Sequence, residues 1–471
     1  MPGLYASINT TVKALTAHSR AIELTGKNLA NVNNPDYARQ RVIYGDRGMI
    51  ETAMGPESLG LEAMGVEQLR DILLDRQVVR EVGLKSSYEA QQSAYRRAQA
   101  SLGESIDRST SASATGAASG NGVAAAIDDF FNAFQSFAAR PTDDGERQTL
   151  LQKAGILTDR FQLADTRIAR VQTDLDASIT NDVADINRTL SAIADLNIQI
   201  GRFELQSPGS AIDLRDQRQA RLEQLSAKLP ISYTEAANGQ LQVTAKDGLG
   251  NDVVLVNYAT VQGSVAFTGT GLTAGSPATA LALNAGSVHG SLTARDGAIA
   301  TLRSELDLLA NQLVTAVNAA YNPTGTTGDF FNSAGLTAGA IRVDSSVTAA
   351  NLKASDGGAA GSNTIALAVA AIAHQTFSTA GGAVIDGTLS SFFGKSVIKL
   401  GEAIATATAR VEDQANIERL VRGQRDAVSG VSLDEEMANL VKYQRSFQAS
   451  SRVFTVLDEL LDGVVNRLGR A

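Results

Sequence analysis

The chain has 471 residues, a formal net charge of −9 and 44% apolar residues, and it contains neither cysteine nor tryptophan. Its length suggests about two to four domains. The absence of cysteine excludes disulfides, thiolate metal ligands and thiol nucleophiles. An acidic chain without a basic stripe is also a poor candidate for binding nucleic-acid phosphates.

The N-terminal segment predicts an amphipathic helix, because apolar and small residues recur in alternating steps of four and three. This seam consists of Leu4, Ile8, Thr11, Leu15, His18, Ile22, Thr25 and Leu29. The helix should end between Asn31 and Pro35, since proline disfavours helical backbone in the residue before it. The N-terminus lacks a cationic segment followed by an apolar run, so no cleaved secretion signal is predicted. No apolar stretch is long enough to predict membrane insertion.

The next part of the chain predicts extended or irregular structure and then a second helix. Residues 36–65 look extended or irregular, and helical periodicity returns near Val66 and continues to about Leu102. Residues 108–122 are rich in serine, threonine, alanine and glycine, which indicates a loop with little ability to form a core.

Two further helices with clear apolar patterns are predicted next. The first ends at Arg140-Pro141 and contains Phe130, Phe131, Phe134 and Phe137. At this spacing, core packing is a better interpretation of the phenylalanines than a ligand pocket. A long helical tract follows from about Glu146 to Phe203, and its last 45 residues would extend ~68 Å. One apolar stripe runs along this tract through Ile168, Val171, Leu175, Ile179, Val183, Ile186, Leu190, Ile193 and Ile200.

The pattern changes again after a return helix that runs to about Leu229. Residues 231–285 combine short alternating segments with glycine and asparagine turns, which predicts a small β-rich insertion. Helix should resume near Arg295, and a polar helix is expected from about Val397 to Val428. The intervening residues 322–395 are rich in glycine, alanine, serine and threonine, and their pattern predicts no particular element.

The C-terminus predicts a second amphipathic helix of nearly the same length as the first. Ser432 and Glu435 form the pattern of a capping box, in which serine caps the helix and glutamate reaches back to it. Steps of four and three follow at Leu433, Met437, Leu440, Gln444, Phe447, Ser451, Phe454, Asp458, Leu461, Val465 and Leu468. The chain therefore carries an amphipathic helix at each end.

No pattern of residues predicts catalysis, a cofactor or a metal site. The three histidines, His18, His289 and His374, are far apart, and phosphate-loop, nucleophile-elbow and zinc-protease motifs are absent. His18 occupies a seam position and is interpreted as a packed or interfacial residue. Adjacent carboxylates are interpreted as helix starts or solvated surface, namely Asp128/Asp129, Asp143/Asp144 and Glu435/Glu436.

Two terminal seams favour self-assembly. Each buried leucine or isoleucine contributes ~1.5–3 kcal/mol only if another surface covers it. The obvious partner of each terminal helix is the other one, and the apolar surface left over would be covered by neighbouring subunits. The alternative, in which both helices dock onto the chain's own domain, remains open at this point.

The two ends together resemble the bacterial flagellar rod, hook and hook-associated proteins. Residues 30–40 read Ala-Asn-Val-Asn-Asn-Pro-Asp-Tyr-Ala-Arg-Gln, close to the family pattern A-N-x-x-T-P-G-Y-x-R-Q. Asn34 stands in the place of threonine and Asp36 in the place of glycine. The C-terminal run from Ser432 to Leu440, with Tyr443-Gln444, is similar to the other end of this family.

Within this family, the interior resembles the hook-associated protein 1 group, which forms the hook–filament junction. Several short motifs carry the resemblance: Arg70-Asp71, Leu74-Asp75-Arg76-Gln77, Phe130-Phe131, Arg140-Pro141, Asp213-Leu214-Arg215-Asp216-Gln217-Arg218 and Gly328-Asp329-Phe330-Phe331. The match is weak over residues 231–285 and 332–395. The length and the long helix argue against a rod or hook subunit, which is the nearest alternative; a surface adhesin using residues 231–285 is an alternative of another class.

The resemblance implies a secreted structural subunit without catalytic residues, cofactor or metal. It implies export through the flagellar type III channel without signal cleavage, and assembly as a ring between hook and filament. The implied partners are other copies of the chain, the hook protein, the second junction protein and a cytoplasmic export chaperone that binds the C-terminal helix. Nucleic acid and membrane insertion are not implied.

The predicted fold is mainly α with an inserted β-rich domain. We expect residues 1–35 and 432–471 to form a terminal helical core, 36–230 and 286–431 a long-helix bundle, and 231–285 an outer β-rich domain. The predicted assembly interface comprises Leu4, Ile8, Leu15, Ile22, Leu29, Asn31, Pro35, Tyr37, Leu433, Met437, Leu440, Phe447, Phe454 and Leu461.

Overall fold

A computed structural model of the chain describes residues 2–46, 49–52, 55–58, 61–102, 122–325, 328–357 and 361–463. The predicted loop at 108–122, except its last residue, lies outside the described residues. So do two positions of the C-terminal seam, Val465 and Leu468.

Long helices dominate the described part of the chain. Their bounds are α1 Pro2–Ala30, α2 Ile72–Leu102, α3 Val123–Ala139, α4 Asp144–Phe203, α5 Ile212–Ser226, α6 Gly286–Ala294, α7 Ala300–Tyr321, α8 Thr364–Ala371, α9 Leu389–Ser429 and α10 Leu433–Asp462. Helix α4 alone has 60 residues, a length of about 90 Å at 1.5 Å per residue.

The strands are short and antiparallel. Their bounds are β1 Gln40–Asp46, β2 Met49–Thr52, β3 Gly55–Ser58, β4 Leu61–Gln68, β5 Ser232–Glu235, β6 Leu241–Lys246, β7 Asp252–Asn257, β8 Thr260–Val261, β9 Ala266–Phe267, β10 Leu272–Ala274 and β11 Thr279–Ala280. They pair as β1–β4, β2–β3, β5–β6–β7–β8 and β11–β10–β9. The mainly α fold with a β-rich insertion is therefore confirmed.

The larger apolar core is built around phenylalanines. Phe130 and Phe134 of α3 are fully buried and their ring centroids lie 5.1 Å apart in an edge-to-face arrangement. Phe330 packs 5.3 Å from Phe134 and Tyr321 packs 5.3 Å from Phe330. Residues 330–407 thus close the core over α3, α4 and α7, and the interpretation of the phenylalanines as core is confirmed.

A second apolar core joins the distal half of α4 to the β-rich insertion. Ile186 and Leu190 of α4 are fully buried and pack with Val243 and Val256 of the sheet, together with α5 and α6. Asn197 of α4 ties the two layers, because its side-chain amide donates to the Leu241 carbonyl at 2.8 Å. The predicted apolar stripe of α4 is buried from Ile168 to Ile200.

Three predicted boundaries are wrong. Val66, expected to start a helix, lies in β4 opposite Val42 of β1, and α2 begins only at Ile72. Helix resumes at Gly286 rather than near Arg295 because α6 packs closely on α2: a Cβ on Gly290 would lie 2.0 Å from the Ser87 carbonyl oxygen.

The polar helix α9 begins at Leu389 rather than Val397. Thr388 and Ser391 form a reciprocal cap there, and this start was hidden by the small-residue composition of the segment. In the part of the chain that the structure describes, no helix is long and apolar enough to cross a membrane.

Candidate assembly surface

Helices α1 and α10 pack antiparallel along one another beside the β1–β4 hairpin. Asn28, near the end of α1, contacts Glu436 at the start of α10, and Tyr443 lies near Ala21 and Leu24. The deepest face of α1 is formed by Ala17, Ala21, Leu24, Thr25 and Asn28. Small residues on this face allow the neighbouring backbones to approach closely.

Among the predicted interface residues of α1, Ile22 and Leu29 directly follow two buried residues of that face, Ala21 and Asn28. Leu4, Ile8, Leu15, Ile22 and Leu29 are all half-buried rather than buried. Part of each of these five side chains therefore remains open to solvent in the single chain, whereas Thr11 and Thr25 of the same seam are buried.

The predicted interface residues of α10 divide into two groups. Leu440, Phe454 and Leu461 are half-buried, whereas Leu433, Met437 and Phe447 are 55%, 49% and 36% exposed. Further apolar side chains of α10 are exposed as well, namely Val441, Val453, Val456 and Leu460. Its only fully buried residue in the described range is Glu436, so α10 covers α1 along one face and leaves its other faces apolar and open.

A turn with its own hydrogen bonds connects α1 to β1. The Asn31 side chain donates to the Lys27 carbonyl at 3.0 Å, which closes the last turn of the helix. The Asn34 side chain accepts from the Asp36 amide at 3.1 Å, and Pro35 between them is exposed. These contacts return the chain toward α1, as the asparagine–proline sequence predicts.

The polar side chain of Asn28 fastens this turn to α1. Its amide group donates to the Gln40 carbonyl and to Glu436 Oε2, both at 2.9 Å. Its carbonyl oxygen accepts from the Tyr37 hydroxyl at 2.7 Å and from the Gln40 amide at 3.1 Å. Burial, and then the negative charge of Asp216, raises the pKa of Tyr37 above its usual value. All the hydrogen-bonding capacity of Asn28 is thereby used, as a buried amide requires.

Glu436 links α10 to the same turn through Arg39. The Arg39 guanidinium donates to Glu436 at 2.9 and 2.7 Å and to Glu435 at 2.6 Å. Burial works against the charge of Arg39, but the hydrogen bond to Glu435 and the charge of Glu436 outweigh it and raise the arginine pKa. The Arg39 amide also donates to the Ser429 carbonyl at 2.8 Å, so this one residue contacts the end of α9 and the start of α10.

Ion pairs connect α1 to α5, and the segment before α2 to both α2 and α5. Lys27 contacts Asp213 of α5 at 2.7 Å. Arg70 contacts both Asp216 of α5, at 2.6 Å, and Asp75 of α2, at 2.9 Å. Both carboxylates are almost fully buried, and burial raises the pKa of each, against the charge of Arg70.

Two expectations from the sequence are corrected by this geometry. Ser432 accepts from the Glu435 amide, as a cap should, but the Glu435 side chain turns to Arg39 instead of completing the capping box. Glu436 is 2% exposed and paired, not part of a solvated surface. By contrast, Asp143 caps α4, accepting from the Gly145 amide at 2.8 Å, as expected of a helix start.

Asn28, Arg39 and Glu436 form buried polar contacts that sequence reasoning missed. Arg39 belongs to the turn motif, so its charge was a usable signal, but nothing local in the sequence links it to a carboxylate almost four hundred positions away. Among the residues described, no group of three or more carboxylates or histidines is placed to hold a metal ion.

Two family models match the chain. One, described as the flagellar hook-associated protein FlgK helical domain, matches residues 112–331. The other, described as the flagellar basal body rod FlgEFG protein C-terminal region, matches residues 424–468, which contain α10. The C-terminal match is thus to a rod-type model, whereas the helical-domain match is specific to hook-associated proteins.

Curated relatives align over almost the whole chain. Flagellar hook-associated protein 1 of Bacillus subtilis is 27% identical over 525 aligned positions, covering 100% of this chain and 99% of the relative. The Escherichia coli protein of the same name is 24% identical, covering 98% and 99%. A solved structure, the flagellar hook junction protein FlgK from Burkholderia pseudomallei, aligns with a TM-score of 0.44 and 21% identity over 54% of this chain and 46% of its own.

The two family models and the curated relatives agree with the resemblance of the two ends and the interior. The relatives are structural flagellar proteins and are not known as enzymes. The relatives align over almost the full chain, and one family model matches the helical domain. The similarity is therefore not limited to the C-terminal region that matches the rod-type model. The chain is similar to flagellar hook-associated protein 1 over almost its full length, and its helical region matches the model of that protein's helical domain.

Proposed function

We propose that this chain is a structural subunit of the hook–filament junction of the bacterial flagellum, and that it assembles as a ring through α1, the turn after it and α10. The observation that carries the proposal is the exposed apolar surface of α10. Helix α10 leaves many large apolar side chains exposed to solvent. Exposed apolar surface of this extent is typical of an interaction site.

The proposed interface combines partly covered and open side chains. On α1 and the turn it uses Leu4, Ile8, Leu15, Ile22, Leu29, Asn31, Pro35 and Tyr37, and on α10 it uses Leu433, Met437, Leu440, Phe447, Phe454 and Leu461. Each open leucine that a neighbour covers would contribute ~1.5–3 kcal/mol to assembly. The Asn28–Arg39–Glu436 contacts hold the two helices in register for that neighbour.

The similarity to hook-associated protein 1 supports a specific set of partners. We propose that copies of the chain contact one another, the hook protein on one side and the second junction protein on the other. A cytoplasmic chaperone would cover α10 before export through the type III channel, because an uncovered apolar helix is prone to aggregate. No signal peptide would be cleaved in this route.

The test is to make the open face of α10 polar while leaving its contact with α1 intact. Leu433→Ser combined with Met437→Ser should leave the fold unchanged, since both side chains are about half exposed. In a strain carrying only this variant, electron microscopy should show hooks that have lost most of their filaments, with filament protein released into the medium.

Leu249→Ser is the matched control. Leu249 is 89% exposed in the turn between β6 and β7, so the substitution removes an equally open leucine far from the terminal helices. Filaments should remain attached in this strain. Filaments that stay attached to hooks in a strain lacking the whole chain would overturn the proposed function.

A further inference from the structure

An open cavity of about 570 Å³ lies beside the turn between α1 and β1. We name it the turn pocket. It is bounded by the end of α1, the turn and α5, and its charged lining residues are Asp36, Asp213, Asp216, Lys27 and Arg221. The pocket therefore adjoins the segment through which α1 and α10 are fastened together.

The turn pocket contains carboxylate oxygens that have no donor. Asp216 is 7% exposed, and its Oδ2 makes no hydrogen bond with the described residues. The Ala38 amide lies close enough to favour the charged form of Asp216 but does not complete a hydrogen bond. Asp36 is exposed, and only its backbone takes part in the described hydrogen bonds. A buried oxygen without a donor is costly, so the pocket favours an incoming donor.

The cations near the pocket are already engaged. Lys27 binds Asp213 at 2.7 Å, and Arg221 donates to Gln224 at 2.8 Å. Arg70 is divided between Asp216 and Asp75, which leaves one excess negative charge among these three groups. The described carboxylates and histidines form no cluster able to hold a metal ion. The chemistry therefore suits a guanidinium, whose planar set of N–H donors matches carboxylate oxygens.

Helix α10 presents unused guanidinium groups on its outer face. Arg445 and Arg452 are exposed, and neither has an ion pair or hydrogen bond with the described residues. They are seven residues apart, which places them on one side of the helix. The stretch 437–457 contains Lys442 and these two arginines but no acidic residue, although the chain as a whole carries a net charge of −9.

These arginines cannot serve the pocket of their own chain. Helix α10 starts at the turn, where Glu436 meets Arg39, and runs away from it antiparallel to α1. Arg445 lies nine residues beyond Glu436, which is about 14 Å along the helix axis. A donor from α10 must therefore come from another copy.

We propose that the turn pocket of one copy receives Arg445 or Arg452 from α10 of a second copy. The two surfaces are different parts of the chain, so the contact is head-to-tail, the kind that closes a ring. This inference rests on the proposed self-assembly and adds a specific contact to it. The carboxylates of Asp36 and Asp216 accept the guanidinium, and the apolar side chains of α10 close over the remaining surface.

The contact can be tested by disulfide cross-linking, because the chain has no cysteine of its own. Asp36→Cys is co-expressed with Arg445→Cys or with Arg452→Cys on differently tagged full-length copies, and isolated flagella are oxidised. We expect a mixed dimer carrying both tags for at least one pair. Asp195→Cys, exposed on α4, replaces Asp36→Cys in the matched control and should give none.

Charge reversal provides the second measurement. Asp36→Arg should reduce the number of filaments attached per cell roughly threefold to tenfold, and Arg445→Asp with Arg452→Asp in the same chain should restore it. Asp195→Arg should have no effect. Circular dichroism checks that each variant keeps its helices.

The outcomes separate this inference from the proposed function. Wild-type attachment in the Asp36→Arg strain, together with the absence of mixed dimers, would overturn the pocket contact while the junction role stands. Mixed dimers and rescue by the reversed pair would establish the contact. Filament attachment in the strain lacking the chain would instead remove the proposed function.

Discussion

The phenylalanine core and the terminal helix pair differ in how much of their apolar surface is buried within the chain. Around Phe134 and Phe330, four segments of the chain close on one another and bury the rings completely. Between α1 and α10, the only large apolar side chain buried among those described is Leu24, most others are half-buried or exposed, and the buried contact also includes the polar residues Asn28 and Glu436. The single chain covers the apolar surface of the phenylalanine core fully, but it covers that of the terminal helix pair only in part.

The difference teaches where stability and specificity lie. A closed apolar core supplies most of the free energy of folding. A buried polar network adds less free energy but permits only one geometry, because every displaced donor or acceptor is costly. Helices α1 and α10 are thus held in a defined register while their apolar surface remains available to neighbours.

The largest expected effect is the difference in stability loss between a phenylalanine-to-alanine substitution in the phenylalanine core and the same substitution in α10. Phe134→Ala should lower the free energy of unfolding by about 3–5 kcal/mol, because it removes a fully buried ring and leaves a cavity. Phe447→Ala should lower it by no more than about 1 kcal/mol, because the Phe447 side chain is 36% exposed. Urea denaturation followed by circular dichroism measures both.

Equal losses for the two variants would contradict the comparison. They would mean that α10 is as much a part of the folding core as α3. A matched conservative change, Phe134→Leu, should recover part of the loss, which would confirm that the ring volume rather than a change in helix content is responsible.

Part of this comparison could be predicted from the sequence. Strong helical periodicity predicted α1, α3, α4 and α10, because among regular secondary structures only a helix places residues with this spacing on one face. The turn after α1 was also predictable, since the proline of Asn34-Pro35 excludes helix there. The alternation of 231–285 indicated the inserted sheet for the same reason.

The remaining features depend on contacts between distant residues. The apolar residues around Val66 fit the spacing of a helix as well as that of a strand. The strand forms because Val66 pairs with Val42 across β4 and β1, which the local sequence does not reveal. Glu436 looks like any acid at a helix start, and only Arg39 and Asn28 make it a buried partner. The division of the chain into terminal, bundle and β-rich domains stays a prediction, as does the list of interface residues.

An intermediate effect is expected when the charge of Glu436 is removed. Glu436→Gln keeps the shape but weakens the hydrogen bonds with Arg39 and Asn28, which should cost about 2 kcal/mol of local stability. Amide hydrogen exchange in residues 17–29 should accelerate by roughly 30-fold, while the phenylalanine core exchanges as before.

Glu435→Gln is the matched control for this substitution. Glu435 contacts the same arginine but its side chain is largely exposed, so exchange in α1 should change by less than about threefold. If both variants behaved alike, or if the phenylalanine core also lost protection, the buried contact would not be what holds the two helices in register.

The smallest expected effect concerns pH and α1 alone. His18 is half-buried, its Nδ1 has no hydrogen bond among the described residues, and burial lowers its pKa below the ordinary 6.5. Because the folded state then holds fewer protons than the unfolded state, the contribution of neutral His18 is complete above pH 6.5 and is lost as pH falls through the lowered pKa. Amide protection in α1, corrected for intrinsic exchange, should fall roughly twofold to fivefold on acidification, and His18→Leu should remove this fall. An equal fall in the leucine variant would mean that protonation of the carboxylates near the turn, and not of His18, causes the acid sensitivity. The pH response of α1 and α10 would then come from their polar contacts rather than from the half-buried seam of α1.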